Sequence, residues 1–375
     1  MELFDTISNL DKEKEEYLEK YLNDIKKFPF IYLWWISESC DEAINYFKKN
    51  NICIKGIYEL HPENYDYNYK GIDVVKQSFD DIESEWAIVI TCSYYETIKN
   101  NLLVNYKNIE KRLFVFDGYF LENKTSKYYL DNKDVILRCY NALEDDFSKK
   151  LYNALLKYRF IRNPKYISKL YESRNECYLD QVFMDNFKDW LYIDAWSYNA
   201  DFITTLANKV DISHSNFYIF EPNKIFYQSI IDNLDKNIYY RIFNIALCDK
   251  DSTMEFMHIP SSTSHIIDEK YNAYKNTIDK KFIDTIQTNR LDTLIKHEVI
   301  KGIKIDIEWS ERAMIEWATE TIKRDRPILL LSIYHRWDDL FKLQEYLMDL
   351  NLNYKFYIRH YSLSVAKTIL YCIPA

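Results

Sequence analysis

The sequence predicts an α/β protein built from two domains. Short apolar runs that suit buried strands alternate with segments of helical periodicity, and this alternation is typical of parallel sheets. The chain has 375 residues, which is long for one domain and suits two. A hydrophobic fraction of 47% supplies enough apolar side chains for two cores and excludes a disordered chain.

The first domain is predicted at residues 1–125 and begins with an amphipathic helix. Apolar side chains recur every three or four residues between positions 3 and 25, which is the helical period. A further helix is predicted at residues 40–49 and another between residues 91 and 103. The predicted strands of this domain are residues 30–35, 52–60, 87–91 and 113–116.

A linker and a helical bridge are predicted at residues 126–188, where a polar stretch is followed by helical periodicity. The second domain is predicted at residues 189–375. Its predicted strands are residues 191–194, 217–222, 242–246, 303–307, 328–333, 354–358 and 368–373.

Charge and composition exclude several classes of protein. A net charge of −9 argues against broad contact with nucleic acid, which requires many basic side chains. No apolar run approaches the roughly 20 residues of a membrane span, and no basic segment suggests a signal peptide. The 7 cysteines are scattered and suit thiols in a reducing cytoplasm. The 4 glycines never cluster, which excludes glycine-rich phosphate loops.

Carboxylates end several predicted strands of the second domain. Asp194 and Glu221 end the first two strands, and Asp306 and Glu308 end a later one. Ligands of open α/β sheets bind at the carboxyl ends of the strands, and an acid after the second strand suits the hydroxyls of a ribose. A single acid at a strand end is more often a helix cap, but acids at three strand ends favour a ligand site.

Seven segments of the second predicted domain, taken in order along the chain, resemble the motifs of the FkbM family of S-adenosylmethionine-dependent methyltransferases. The resemblance covers the whole C-terminal half and implies a class I methyltransferase-type sheet with S-adenosylmethionine as cofactor. It implies that Glu221 holds the cofactor ribose, that Asp194 orients the loop facing the ligand, and that Asp249 lies near the adenine. Trp196 and Glu308 complete the expected cofactor site. The segments that carry the resemblance are residues 192–202, 219–223, 246–249, 290–294, 304–308, 332–340 and 359–362.

The first domain is similar to the Rossmann-like domain that precedes such methyltransferases in surface-glycan enzymes. The turn after its first strand, residues 35–40, contains no glycine. Without glycine the backbone cannot easily approach a nucleotide, so a scaffolding or acceptor-positioning role explains this domain at least as well as a nucleotide-sugar site.

The expected cofactor loop lacks two glycines of the family pattern. Trp196 and Ala200 stand in their places, Asn199 replaces the usual acid, and Trp309 replaces a further glycine. Two interpretations follow from these departures. The protein is either an active methyltransferase with a reshaped pocket or a methyltransferase fold that serves as a binding or scaffolding partner.

His335, His360 and Asp306 are the candidate bases that would take a proton from the acceptor. Histidine has the more suitable ordinary pKa, although a structural hydrogen bond is an equally good explanation for each histidine. His335, Asp339 and His360 have ligand types that suit a metal, but they lack tight spacing, so no metal is expected.

The resemblance implies a small-molecule or glycan acceptor, with a sugar hydroxyl in surface-glycan synthesis as the leading expectation. Tyr334, Trp337, Tyr357 and Tyr361 could stack on a sugar ring, although core packing explains them equally well. The N-terminal helix makes a homodimer a further expectation.

Overall fold

The chain divides into two compact units in the computed structural model. The described residues are 7–76, 85–92, 95–106, 109–116, 126–172, 176–258, 264–267, 283–308 and 310–375. The first unit comprises Met1–Ile136, Asn153–Tyr171 and Ser362–Ala366, and the second comprises Leu137–Tyr152, Glu172–Tyr361 and Lys367–Ala375. The predicted bridge at residues 126–188 is therefore shared between the two units.

The first unit contains a six-stranded sheet in the order β3-β4-β2-β1-β5-β6. All neighbours are parallel except β3 and β4, a short antiparallel pair that the sequence analysis missed. The other four strands confirm the predicted ones. The strands are β1 (Ile31–Trp34), β2 (Ile54–Glu59), β3 (Asn68–Tyr69), β4 (Ile72–Lys76), β5 (Ala87–Ile90) and β6 (Leu113–Val115).

Apolar helix faces cover this sheet. Ser37 begins the second helix because its hydroxyl accepts the backbone N–H of Cys40, and Ala43, Ile44 and Phe47 then point into the core. The helices from the start of the described chain are α1 (Leu10–Ile25), α2 (Glu38–Lys49), α3 (Tyr95–Asn105), α4 (Ser126–Asp131), α5 (Lys133–Asn141) and α6 (Asp146–Ile161). Short 3₁₀ turns lie at Pro62–Tyr65, Ile109–Arg112 and Pro164–Tyr166.

The second unit contains a seven-stranded sheet in the order β16-β17-β15-β14-β7-β8-β9. Only β17 is antiparallel to its neighbours. This is the methyltransferase-type sheet that the resemblance implies, and the predicted α/β class is confirmed. The strands are β7 (Leu191–Ala195), β8 (Asn216–Phe220), β9 (Tyr239–Phe243), β14 (Ile300–Ile305), β15 (Ile328–Ser332), β16 (Tyr354–His360) and β17 (Thr368–Pro374).

A small second sheet follows β9 in the chain, in the order β10-β13-β11-β12. The sequence analysis missed most of it, because its two longer strands, β11 and β13, are mostly exposed or half-buried and lack continuous apolar runs. Its strands are β10 (Ala246–Leu247), β11 (Ser252–Met257), β12 (His265–Ile266) and β13 (Ile283–Asn289). The helices of this unit that follow α6 are α7 (Gln181–Met184), α8 (Asp201–Ala207), α9 (Lys224–Asn233), α10 (Leu291–Leu294), α11 (Glu311–Glu316), α12 (Thr319–Asp325) and α13 (Asp339–Asp349).

Buried apolar strands fix the centre of the large sheet. Every residue of β7 and β15 is buried. Gly302 of β14 lies beside the ring of Tyr192, and a Cβ added there would come within 2.4 Å of that ring. One of the few glycines of the chain is therefore required by packing.

The sheet order places a topological switch point between β7 and β14. The chain passes from β7 to β8 on one side, whereas β14 lies on the other side of β7. Ligands of open α/β sheets bind at the carboxyl ends of strands at such a point. Among the described residues, every helix is too short or too polar to serve as a transmembrane span.

Candidate active site

The turn after β7 keeps a left-handed backbone without glycine. Trp196, Tyr198 and Ala200 have φ values of 65°, 58° and 58°. This region costs a residue with a Cβ about 1–2 kcal/mol, so surrounding contacts must hold the turn in place. Trp196 and Ala200 are the residues that stand where the resemblance expects glycine, and glycine adopts this backbone conformation without steric cost.

The Trp196 side chain packs against the small sheet. Its ring centroid lies 5.6 Å from that of Phe256 on β11, and the residue is only 7% exposed. Its backbone N–H donates to the Phe220 carbonyl at 2.8 Å, which ties the turn to the end of β8. Apolar contact and a backbone bond therefore offset the strain at this residue.

A buried ion pair supports the turn from behind. The Lys304 ammonium lies 3.0 Å from Asp194 Oδ1, and both residues are buried. Lys304 also donates to the Trp196 carbonyl at 2.8 Å, and the Ser197 hydroxyl donates to Asp194 Oδ2 at 2.6 Å. Asp194 thus lies behind the turn, with its charge compensated by Lys304 at Oδ1 and a hydrogen bond from Ser197 at Oδ2.

Glu221 follows β8 and is 1% exposed. Its Oε2 accepts the backbone N–H of Tyr198 and its Oε1 accepts that of Asn223, each at 2.8 Å. Burial raises the pKa of Glu221 to about 8, although the two backbone donors and Lys304 oppose that rise. Each carboxylate oxygen has a second lone pair, so these bonds leave Glu221 able to accept from a ligand.

A polar cluster occupies the ends of β14 and β15. His335 Nε2 lies 3.2 Å from Glu308 Oε2 and 3.8 Å from Asp306 Oδ1, while its Nδ1 lies 2.7 Å from Glu311 Oε1. Lys367 pairs with Asp306 Oδ2 at 3.0 Å. The structure therefore brings together two of the candidate catalytic residues, His335 and Asp306, with the candidate cofactor residue Glu308.

Charge compensation sets the protonation states of this cluster. Burial alone would raise the pKa of Asp306, but the charges of Lys367, Lys304 and His335 hold it well below its usual range. Burial would lower the pKa of His335, but Glu311 and Glu308 raise it well above its ordinary value. Asp306 is thus ionised and His335 protonated near neutral pH, which makes neither a strong base as it stands.

The remaining candidate residues lie elsewhere in the second unit. His360 is fully buried at the end of β16, where its Nδ1 lies 2.9 Å from the Thr368 hydroxyl oxygen on β17. Asp249 is half-buried after β10 and accepts from the Cys248 thiol at 3.1 Å. Asp339 accepts the backbone N–H of Arg336 at the start of α13. Trp309 lies outside the described residues.

The aromatic residues named for sugar stacking are not equivalent. Tyr361 is 1% exposed and its hydroxyl lies 2.6 Å from that of Tyr371, so it is a core residue and not a stacking surface. Tyr334 is also buried, and its hydroxyl donates to Asp306 Oδ1 at 2.7 Å. Trp337 and Tyr357 are half-buried.

Sequence reasoning missed the roles of Lys304, Glu311 and Lys367. Lys304 carries a recognisable signal, because a lysine between isoleucines in a buried strand requires a partner. Glu311 and Lys367 carry no comparable signal. Their importance depends on the ends of α11 and β17, which only the folded chain brings to the cluster.

The sheet order and the strand-end acids define an α/β domain of methyltransferase type. The family comparison agrees, because residues 188–356 match the methyltransferase FkbM domain. The chain is also similar to a solved structure described as methyltransferase FkbM from Methylobacillus flagellatus KT. That match has a TM-score of 0.65 and 14% identity, and it covers 99% of this chain and 100% of the other. At this identity the likeness concerns the fold. No curated protein matches the chain.

Proposed function

We propose that this protein is an S-adenosylmethionine-dependent methyltransferase. The observation that carries the proposal is the turn after β7, which keeps the left-handed backbone at Trp196 and Ala200 and is bonded to Glu221 on the next strand. Strained backbone of this kind is concentrated at ligand-binding and catalytic sites, which supports a ligand at this turn. When bound, the cofactor supplies an electrophilic methyl group on a sulfonium.

The chain's own residues have separate tasks in this proposal. Glu221 would accept from the ribose hydroxyls through its remaining lone pairs, and the Asp194–Lys304 pair would hold the turn rigid. Asp249 would lie towards the adenine. Trp196 and Glu308 would line the remainder of the cofactor site.

The acceptor is proposed to be a hydroxyl group of a sugar or a related compound in surface-glycan synthesis. Asp306 remains ionised beside Lys367 and could accept a hydrogen bond from such a hydroxyl. His335 lies next to it at the same sheet edge. His360 is fully buried and hydrogen-bonded to Thr368, so Asp306 and His335 are the better candidates for the acceptor side.

The second candidate is a methyltransferase fold without catalytic activity. It is favoured by Glu221, whose oxygens both already accept backbone N–H groups while the residue is 1% exposed. Closure of the site by these internal bonds would make the domain a binding or scaffolding partner. The two candidate functions differ in whether Glu221 binds the cofactor.

A thermal-shift titration with S-adenosylmethionine and its demethylated product tests the proposal. We expect the melting temperature to rise, since a ligand at one hundred times its Kd stabilises the folded state by about 2.7 kcal/mol. Glu221→Ala should abolish the shift. The control is Glu59→Ala, which removes the buried glutamate at the end of β2 in the first unit and should leave the shift unchanged. No shift at millimolar ligand would favour the non-catalytic candidate.

The first unit is proposed to position the acceptor or to act as a scaffold, with a nucleotide-sugar site as the alternative. Glu59 bonds to the turn after β1 through the Ile36 N–H at 3.0 Å, as Glu221 does in the second unit. Stabilisation by a nucleotide sugar that survives Glu221→Ala and is lost in Glu59→Ala would favour the alternative.

A cytoplasmic location is proposed as well. It is supported by the absence of any disulfide among the 7 cysteines, all of which lie in described ranges.

A further inference from the structure

The cluster at the ends of β14 and β15 has the composition of a metal-binding site. Asp306, Glu311 and His335 each offer one ligand atom, and these atoms all lie within 4.8 Å of one another. Glu308 adds a third carboxylate, with Oε2 3.2 Å from His335 Nε2. Glu311 and His335 are 1% and 4% exposed. The four side chains come from two neighbouring strand ends and from the first residue of α11.

The two nitrogens of His335 have different partners. Nδ1 lies 2.7 Å from Glu311 Oε1, and this oxygen also accepts the backbone N–H of Ile307 at 3.0 Å. Glu311 is therefore held in place and orients the imidazole. Histidines that bind metals nearly always donate their other ring N–H to a carboxylate or carbonyl in this way. A cation that displaces the Nε2 proton would meet the Nε2 lone pair on the side that faces Asp306 and Glu308.

The distances on the Nε2 side suit a small divalent ion. Neighbouring ligand atoms around an ion at about 2.1 Å are roughly 3 Å apart in octahedral geometry. Nε2 lies 3.2 Å from Glu308 Oε2 and 3.8 Å from Asp306 Oδ1, so only side-chain adjustments are needed to close the shell. Asp306 Oδ1 accepts from Tyr334 but has a second lone pair.

We propose that this cluster binds a divalent transition-metal ion such as Mn²⁺ or Zn²⁺. Its ligands are His335 Nε2, Asp306 and Glu308, and Glu311 orients the histidine. One imidazole combined with carboxylates favours such an ion over Ca²⁺, which prefers oxygen ligands alone. Three carboxylates meet Lys367, and Lys304, whose charge also reaches Asp306, is paired with Asp194, so the cluster offers negative charge to a cation.

The position of the ion also points to a role in binding the acceptor, and this role rests on the proposed function. It lies at the carboxyl ends of β14 and β15, beside the switch point at β7. An ion at that edge would bind and orient an oxygen-bearing acceptor, which in a sugar means neighbouring hydroxyl groups. The metal site itself does not depend on methyl transfer.

Titration of the EDTA-treated full-length protein with MnCl₂, followed by the electron paramagnetic resonance of free Mn²⁺, tests the site. We expect one Mn²⁺ bound per chain and displaced by ZnCl₂. Glu308→Gln, whose side chain is only partly buried, should weaken Mn²⁺ binding at least tenfold, and His335→Gln should do the same. Circular dichroism establishes that each variant is folded.

His61→Gln is the matched control, because His61 and Glu63 form an exposed histidine–carboxylate pair at 3.1 Å in the first unit. It should bind Mn²⁺ as the wild type does. The proposal is overturned if the wild type leaves millimolar Mn²⁺ and Zn²⁺ free, or if folded Glu308→Gln keeps the wild-type affinity. The S-adenosylmethionine thermal shift, measured in EDTA, fails or succeeds independently of this result.

Discussion

Glu221 is a carboxylate that the fold buries at an energetic cost. Its pKa is raised from its ordinary value to about 8, with burial as the main cause. A raised carboxyl pKa means that the folded chain binds more protons than the unfolded chain at intermediate pH. The stability contribution of Glu221 is therefore fully present below about pH 4.5 and is lost as pH rises through about 8.

Replacing Glu221 with glutamine should flatten this pH dependence. The amide keeps one acceptor oxygen, so one of the two backbone N–H bonds is lost and stability at low pH falls by about 1–3 kcal/mol. The free energy of unfolding in urea, measured from pH 5 to pH 9, gives the difference between wild type and variant. That difference should shrink as pH rises, and a constant difference would contradict the assignment.

Trp196 offers a test of backbone strain at a single residue. Both Trp196→Ala and Trp196→Gly remove the indole from Phe256 and lose the same packing energy. At a φ of 65°, however, glycine avoids the penalty that any Cβ incurs. We expect the glycine variant to be about 1 kcal/mol more stable than the alanine variant in urea unfolding, which reverses their usual order.

Ala207, the last residue of α8, provides the control for that comparison. Within a right-handed helix, Ala207→Gly should destabilise the chain by about 0.5–1 kcal/mol. Equal stability of the two Trp196 variants would show that the turn relaxes and that its left-handed shape is not enforced.

The sequence identifies the residues of the turn but not their conformation. Strand-end acids such as Asp194 and Glu221 follow from the pattern alone, because parallel strands present their carboxyl ends to one edge. The left-handed backbone at Trp196 could not be predicted from its residue type, since tryptophan rarely adopts it. Only contacts from β8, β11 and β14 make that conformation tolerable.

At the scale of elements, β14 links the core of the sheet to the turn. Lys304 of this strand forms a buried ion pair with Asp194, and it lies between apolar neighbours that pack into the sheet. Removing one member of a buried ion pair costs about 3–5 kcal/mol, because the other charge stays buried without compensation. Lys304→Met should therefore destabilise the chain by that amount.

A double-mutant cycle with Asp194→Asn measures the coupling between β7 and β14. The double variant Lys304→Met, Asp194→Asn leaves no uncompensated charge, so it should be at least about 2 kcal/mol more stable than the sum of the single effects predicts. Urea unfolding at pH 7 provides all four values. Strict additivity would mean that the two side chains do not support the turn together.

The elements themselves were largely predictable where they are buried. Most predicted strands of the large sheet are present, because continuous apolar runs such as those of β7 and β15 signal strands buried on both faces. The strand predicted at residues 242–246 was misplaced: β9 ends at Phe243, and Ala246 begins β10 of the small sheet.

The small sheet escaped prediction because most positions of β11 and β13 are exposed or half-buried, and only Phe256, Ile286 and Thr288 are buried. Its position matters for the site, since Phe256 on β11 holds the indole of Trp196.

At the scale of the whole molecule, the methyltransferase sheet needs residues that precede its first strand. Leu143 forms a bridge with Phe356 of β16, and the Glu144 N–H donates to the Phe356 carbonyl at 3.0 Å. Arg359 of β16 is 8% exposed and binds Asp145 and Asp180 at 2.9 and 3.0 Å. The family match begins at residue 188, so it leaves these partners outside.

We therefore expect that a chain of residues 189–375 does not fold cooperatively. It would leave the Arg359 guanidinium without both carboxylates and would expose the edge of β16. A broad thermal transition or aggregation in calorimetry is the expected outcome. A sharp transition at the wild-type temperature would show that the domain is complete without its preceding residues.

Point variants of the full-length chain separate the loss of the Arg359 ion pairs from the other effects of truncation. Asp145→Ala removes a half-buried partner while Asp180 still compensates Arg359, so the expected loss in unfolding free energy is about 2 kcal/mol. The neighbouring Asp146 is exposed at the start of α6, and Asp146→Ala should cost less than about 1 kcal/mol. Asp145 also caps α6, because its Oδ1 accepts the Ser148 backbone N–H at 2.5 Å. Asp145→Asn keeps this acceptor and removes the charge, so it separates capping from the pairing with Arg359. If Asp145→Asn is nearly as stable as the wild type, capping explains the loss in Asp145→Ala; if it is destabilised as well, the segment around residue 145 is an integral part of the second unit.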